Sequence, residues 1–287
     1  MSARNAFFWS LRREWWENRA IYIAPLVVAT VTLAGFAFAM LTHMGGDSFG
    51  KLPPARQVAL AAIPFSMAAS VILFTSWIVG IFYSADALYG DRRDRSVLFW
   101  KSMPVSDLVT VAAKASTPLL VIPLFACIVA FGTQVAMLLL GSTISMASGR
   151  DASLLWQAWP LGKQTLVMLY GMAIHALWFA PIYAWLLLVS SWAPRAVLLF
   201  AVLPFFAFFA FEKLALGTSW LMGAIGYRIL GGMSEGFATD ALRKPVTELS
   251  QLDPARFFSN PNLWYGLAFA GACLALALWR RRYSEPI

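Results

Sequence analysis

The sequence carries little charge. Only 13% of its 287 residues are Asp, Glu, Lys or Arg, whereas soluble proteins contain about 25%. Hydrophobic residues make up 60% of the chain and the mean hydropathy is +0.68. This composition excludes a disordered chain, a collagen-like fibre and an ordinary soluble enzyme. It predicts an all-α polytopic membrane protein, because helices satisfy their backbone hydrogen bonds internally in lipid.

Several sequence features of catalysis and binding are missing. The two cysteines, Cys127 and Cys273, are far apart and exclude a disulfide framework. No phosphate-binding G-x-x-x-x-G-K-[ST] loop is present, since residues 46–51 have the wrong spacing, and neither H-E-x-x-H nor G-x-S-x-G occurs. We therefore expect no catalytic residue, cofactor or metal site in this chain. The net charge of +8 is more typical of one membrane face than of a nucleic-acid partner.

Six uncharged stretches approach or exceed the roughly 20 residues that a membrane-spanning helix needs. They are residues 20–44, 57–85, 115–149, 164–194, 196–211 and 257–279. A seventh apolar stretch, residues 214–227, is too short to cross and contains three glycines. The sequence predicts six spans, with the seventh stretch interfacial or re-entrant.

The distribution of basic residues predicts the orientation of these spans. With six crossings both termini share one face, and that face collects more than half of the 22 basic residues. They are Arg4, Arg12, Arg13, Arg19, Arg92, Arg93, Arg95, Lys101, Lys114, Arg195, Arg280, Arg281 and Arg282. Because basic loops stay inside, we expect cytoplasmic termini in a multi-pass protein of a cell membrane, such as the bacterial inner membrane.

Residues 1–19 have the pattern of an amphipathic helix. The apolar side chains that share one face of such a helix are Phe7, Phe8, Leu11 and Trp15. Arg13 and Glu17 fall on the opposite face. This arrangement predicts an interfacial helix along the membrane, in contact with lipid.

The loop between spans two and three, residues 86–114, carries charged and aromatic side chains together. Asp91 and Asp94 favour the start of a short helix and Lys101 its end, and Pro104 stops it. Ser106 is then the N-cap of a helix that leads into span three.

The short helix has the composition of a docking surface; the alternative is a solvated basic loop. Its candidate docking residues are Asp91, Arg92, Arg93, Asp94, Arg95, Val97, Phe99, Trp100 and Lys101.

At the region between spans five and six, residues 212–256, the lengths of the apolar stretches do not fit complete membrane spans. The uncharged run 196–211 is short for a span, and Glu212 and Lys213 follow it directly. We expect the helix to break at that pair and a short helix to return along the outer leaflet. Gly217, Gly223 and Gly226 would let it pack against a second copy. An ordinary interfacial loop is the alternative.

Taken together, these features resemble the membrane subunits of ABC exporters with the type V exporter fold. The matching residues are Asp86, the stretch 91–101, the turn Met103, Pro104, Val105 and Ser106, and Lys114. The family often has Glu-x-Gly-Thr in the short helix, where this chain has Asp94, Arg95, Ser96 and Val97. The order of spans and connecting segments resembles the family over the whole chain, whereas the sequence motif matches over about 30 residues.

The resemblance implies a single permease domain, residues 1–287, with an N-terminal elbow helix and a coupling helix between spans two and three. It also implies short re-entrant helices within residues 214–233 that form an outer gate. The partners would be two copies of an ABC ATPase, which hold ATP and magnesium, and a second permease copy, with a homodimer expected. This chain itself would be no enzyme.

A six-helix secondary transporter or a membrane-embedded enzyme is the alternative function. Ion-driven carriers usually place carboxylates within the membrane. Here Asp86 and Glu212 stand only at the ends of their spans, which favours an external energy source.

The six-span topology can be tested by cysteine labelling. After replacement of Cys127 and Cys273, single cysteines at positions 48 and 150 should react with an impermeant maleimide on intact cells. Cysteines at positions 3 and 285 should react only after permeabilisation. Labelling of position 285 from outside would contradict six crossings.

Overall fold

A computed structural model of the protein describes residues 3–42, 52–94, 105–149, 151–238 and 249–283. Helices make up nearly all of these ranges. They contain no β-strand, and one isolated bridge joins Phe237 to Leu252.

The first half of the chain forms helices that we number in chain order. These are α1 (Ala3–Glu17), α2 (Ala20–Thr42), α3 (Pro54–Arg93), α4 (Asp107–Ser116), a π-helical turn (Thr117–Val121) and α5 (Ile122–Ala147). The second half continues the same numbering. It contains α6 (Ser153–Ala158), α7 (Leu161–Ser190), α8 (Val197–Leu216), α9 (Trp220–Gly236), a 3-10 turn (Leu249–Gln251), α10 (Pro254–Ser259) and α11 (Pro261–Tyr283).

Six helical segments are long and apolar enough to cross a membrane, as the sequence predicts. They are Ala20–Thr42, Pro54–Arg93, Asp107–Ala147, Ser153–Ser190, Val197–Leu216 and Pro261–Tyr283. The protein is therefore a multi-pass membrane protein by length and composition. Its long helix α7 lies at the centre of the bundle, where Trp178 and Tyr183 are fully buried.

The second span is longer than its apolar run. Helix α3 has 40 residues and continues to Arg93, and the backbone N–H of Asp94 bonds to the carbonyl of Gly90 at its end. The prediction that Asp91 starts a new helix is therefore wrong. Asp91 lies in the last turn of α3, because nothing in the sequence before it breaks the helix.

The third span begins as predicted and then changes its helical pitch. The Ser106 hydroxyl accepts a hydrogen bond from the backbone N–H of Val109 at 3.3 Å, which confirms the N-cap. The π-helical turn that follows contains Pro118 and precedes Pro123. Both prolines lack a backbone N–H, and the wider turn accommodates them without ending the span.

The fifth span does not break at Glu212 and Lys213, so that prediction is wrong. Helix α8 continues to Leu216, which gives 20 residues and about 30 Å of length, enough for the hydrocarbon core. The chain reverses at Gly217, whose φ is +68°. Glycine adopts this left-handed conformation without a steric penalty.

Helix α1 turns Glu14 toward the bundle, a residue that the sequence pattern does not single out. Ala6 and Glu14 are buried, while Phe8 is 59% exposed. Trp15 packs on Phe125 of α5 with ring centroids 4.8 Å apart. Ion pairing of Glu14 sets this rotation, and a count of apolar residues alone does not detect it.

Helix α9 packs closely on α7 through glycines. A Cβ on Gly232 would lie 2.7 Å from Cδ1 and 2.9 Å from Cγ of Trp178. The Trp178 indole cannot move freely, because its Nε1–H donates to the carbonyl of Arg228 at 2.7 Å. The missing side chain at position 232 therefore permits the contact between the two helices.

Replacing Gly232 by Ala should lower the free energy of unfolding by about 1–2 kcal/mol. The overpacking against Trp178 outweighs the gain of up to about 1 kcal/mol in helix propensity. Thermal unfolding of the detergent-solubilised protein measures the effect. Gly132→Ala is the matched control, because a Cβ there meets no atom within 4 Å; equal stability of the two variants would contradict the packing argument.

Candidate functional site

Four buried charges form an ionic cluster at the end of the bundle where α1, α3, α4 and α11 meet. We define it as Glu14, Asp91, Lys114 and Arg281. The Lys114 ammonium lies 3.1 Å from Glu14 Oε1 and 3.3 Å from Asp91 Oδ1. Arg281 Nη1 lies 3.0 Å from Asp91 Oδ2. Their exposures are 1%, 8%, 2% and 9%, so the cluster is closed to water.

Neighbouring groups complete the hydrogen bonding of the ionic cluster. The Tyr83 hydroxyl donates to Glu14 Oε2 at 2.8 Å, and Arg13 Nη2 donates to Glu14 Oε1 at 2.7 Å. Arg281 Nε donates to Asp107 Oδ1 at 3.1 Å. Each buried carboxylate oxygen of Glu14 and Asp91 therefore faces a donor.

The pairing of opposite charges explains how these four charged side chains remain buried away from water. Each charge is expensive to bury alone, and its partners offset that cost when the geometry is good. Burial by itself raises the pKa of the Glu14 carboxyl, but Lys114 and Arg13 outweigh it and lower that pKa. The stabilising contribution of Glu14 is thus present at neutral pH, and it declines as pH falls through the lowered pKa.

Arg92 joins the end of α3 to the end of α7. Its Nη2 donates to the carbonyls of Ser190 at 2.8 Å and Ala193 at 2.7 Å. These carbonyls belong to the last residue of α7 and the turn after it, where a cation is favourable. The second span is therefore fastened to the fourth span as well as to the ionic cluster.

The structure separates the predicted docking residues into two groups. Asp91 and Arg92 are turned into the protein, in the contacts given above. Arg93 and Asp94 are exposed and paired with each other, with Nε and Oδ1 3.0 Å apart. The other predicted docking residues lie outside the described residues. These are Arg95, Val97, Phe99, Trp100 and Lys101.

At the opposite end of the spans, Glu212 links α8 to α9. Its carboxylate accepts hydrogen bonds from the Thr218 hydroxyl at 2.6 Å, from the Leu221 backbone N–H at 3.0 Å and from the Trp220 backbone N–H. Glu212 thus satisfies free N–H groups at the start of α9. The adjacent residue, Lys213, is exposed.

The other predicted gate residues differ in their surroundings. Gly217 forms the reversal itself, and a Cβ on Gly223 or Gly226 would meet no atom within 4 Å. These two glycines therefore lie on a face of α9 that is open in the isolated chain. Among the glycines of α9, those that pack internally are Gly231, Gly232 and Gly236, which the sequence reasoning did not select.

Arg228 connects α9 to the start of the last span. Its Nη2 donates to the carbonyl of Asn262 at 2.6 Å, and its guanidinium lies 4.5 Å from the centroid of the Trp178 ring. Gly266 leaves room for it, since a Cβ there would lie 2.6 Å from Arg228 Nη2. Helix α9 is thus held against α7 and α11.

Sequence reasoning did not identify Glu14 and Arg281 as parts of a site. The available signal was weak: both lie in runs of charged residues, where most side chains are solvated.

Within the described ranges, no three His, Cys, Asp or Glu side chains form a group that could hold a metal ion. In comparisons with known proteins, no family model and no curated protein matches this chain.

Removal of the central cation should destabilise the protein strongly. Lys114→Met leaves Glu14 and Asp91 without the ammonium between them, and breaking a buried pair costs about 3–5 kcal/mol. Thermal unfolding in detergent measures the loss.

Lys163→Met is the control for this change, because Lys163 is exposed on α7. A surface substitution of this kind should change stability by no more than about 0.5 kcal/mol. Similar midpoints for the two variants would show that the ionic cluster does not hold the helices together.

Proposed function

We propose that this protein is the transmembrane subunit of an ATP-driven ABC exporter of the type V fold. Two copies would form the substrate path and couple to two separate ATPase subunits, which would bind ATP and magnesium. The six spans, the absence of a phosphate-binding loop in the sequence and the motif resemblance at residues 86–114 support this proposal. Transport, rather than chemistry within this chain, would be its role.

The observation that carries the proposal is the way in which the flanks of segment 95–104 are fastened. On one side, Asp91 pairs with Lys114 and Arg281, and Arg92 binds the end of α7. On the other side, Asp107 pairs with Arg281 at 3.1 Å. A force on this segment would therefore act on spans two, three, four and six together.

This arrangement suits the transmission of force from a partner. Closure of the ATPases on nucleotide would push on segment 95–104 and on the exposed Arg93 and Asp94. The buried ion pairs resist separation, because each leaves an uncompensated charge when it opens. The helix ends would then move as one body, which is how packed interfaces amplify small displacements.

Helices α1 and α9 take the places of the elbow and the gate in this proposal. Helix α1 ends three residues before α2 begins and packs against α4, so it would lie near the membrane surface. Helix α9 is apolar and exposes Trp220, Met222 and Leu230. A second permease copy or the outer leaflet would cover that face, where Gly223 and Gly226 allow close approach.

Charge reversal at the exposed end of α3 should weaken coupling to the ATPase. We expect Asp94→Lys, and separately the double change Phe99→Ala with Trp100→Ala, to lower ATPase co-purification or substrate-stimulated ATP hydrolysis at least several-fold. Expression and thermal stability should stay near those of the unchanged protein, because Asp94 is exposed. The measurement uses the chain co-expressed with a P-loop ATPase encoded by a neighbouring gene, then reconstituted in liposomes.

Asp151→Lys is the control, since Asp151 is also exposed but follows span three at the opposite end. Full coupling in both test variants would exclude docking at this segment. If no ATPase co-purifies and transport runs on an ion gradient without ATP, the protein is a secondary transporter and the proposal is wrong.

A further inference from the structure

Helix α1 leaves a face of aromatic and basic side chains uncovered. Phe8, Trp9 and Trp16 are 59%, 49% and 59% exposed, and Arg12 lies between the two tryptophans in sequence and is also exposed. We call these four residues the α1 patch. They recur at helical spacing, so their side chains share one side of the helix.

Arg12 is held between two indole rings. Its Cζ lies 5.0 Å from the centroid of the Trp9 ring and 4.4 Å from that of the Trp16 ring. Stacking uses the face of the planar guanidinium, while its N–H donors point outward from its edge. The ion pairs of α1 with described residues involve Arg13, Glu14 and Glu17, and not Arg12. The cation is thus oriented, and no hydrogen bond or ion pair among the described residues uses its N–H donors.

The contacts of α1 fix its depth relative to the membrane. Glu14 accepts from Tyr83, which lies near the end of the apolar run of span two. Trp15 packs on Tyr22, in the first turn of span one, with ring centroids 5.6 Å apart, and also on Phe125, the eleventh residue of the apolar run of span three. Helix α1 therefore lies level with the boundary of the hydrocarbon layer, and its uncovered side faces lipid headgroups. Tryptophan is enriched at this level.

We propose that the α1 patch binds the headgroup phosphate of an anionic phospholipid. The guanidinium of Arg12 donates to the phosphate oxygens, with the fork geometry that suits this anion. Phe8, Trp9 and Trp16 insert beside the acyl chains. The exposed cations Arg4 and Arg19 on the same segment add a favourable field at an anionic surface.

A lipid fits this patch better than a soluble protein partner. Trp16 lies four residues before the first span, which begins at Ala20, so a protein covering the α1 patch would have to approach the headgroup layer. The inference requires only that the chain spans a membrane, and it does not depend on the proposed ATPase partner. Failure of the exporter proposal would leave it unchanged.

Native mass spectrometry of the full-length protein in mixed micelles tests the proposal. The probe is phosphatidylglycerol in competition with phosphatidylcholine. We expect selective retention of phosphatidylglycerol by the unchanged protein and a roughly fivefold weaker retention by Arg12→Gln, as for loss of one cation at an anionic surface. The double change Trp9→Ala with Trp16→Ala keeps the charge, and it should weaken retention by disordering Arg12.

Arg56→Gln is the matched control, because Arg56 is exposed at the far end of α3 and its loss changes the net charge equally. Equal retention by the unchanged protein and Arg12→Gln, or equal losses in Arg12→Gln and Arg56→Gln, would overturn the site. Displacement of the lipid by millimolar inorganic phosphate would identify a soluble anion site instead. Loss of ATPase binding in Arg12→Gln, with lipid retention unchanged, would make the patch a protein interface; either outcome rejects the lipid proposal.

Discussion

The withdrawal of Glu14, Asp91, Lys114 and Arg281 from water is the constraint on which the rest of this structure depends. Each of these charges comes from a different helix, and each is offset there by at least one oppositely charged member of the cluster. Their pairing fixes the rotation of α1, the end of α3, the start of α4 and the end of α11 in one arrangement. Apolar packing in lipid is not directional, whereas paired charges specify which helices meet and in which register.

Different kinds of contact hold the helices together at the two ends of the bundle. At the end where α1 meets the last turn of α11, ion pairs and the Arg92 cap fasten the helices to one another. At the other end, Glu212, Arg228 and the packed glycines of α9 hold a short helix against α7 mainly through backbone groups and close approach. The first end resists separation, while the second leaves an apolar helix face open to further contacts.

Length, composition and charge distribution were sufficient to predict six spans, because the bilayer imposes a minimum apolar length on each. The N-cap at Ser106 was also predictable, since capping depends on a few neighbouring residues. The ends of α3 and α8 were not predictable in this way. A charged residue such as Asp91 or Glu212 looks like a helix boundary in sequence, but its partners come from other helices: Lys114 and Arg281 for Asp91, and the start of α9 for Glu212. The same holds for α1, where Glu14 and not the apolar pattern decides the buried face.

The π-helical turn Thr117–Val121 has a consequence for the register of the third span. A π turn contains about one residue more than an α turn, so it advances the phase of all later side chains by about 100°. Lys114, before the turn, faces the ions, while the long run of α5 after it presents a rotated face to its neighbours. A variant of this chain with one residue fewer here could keep only one of the two registers. Insertions and deletions, more than substitutions, would therefore reveal how the start of this span, which holds Lys114, is linked to its apolar part.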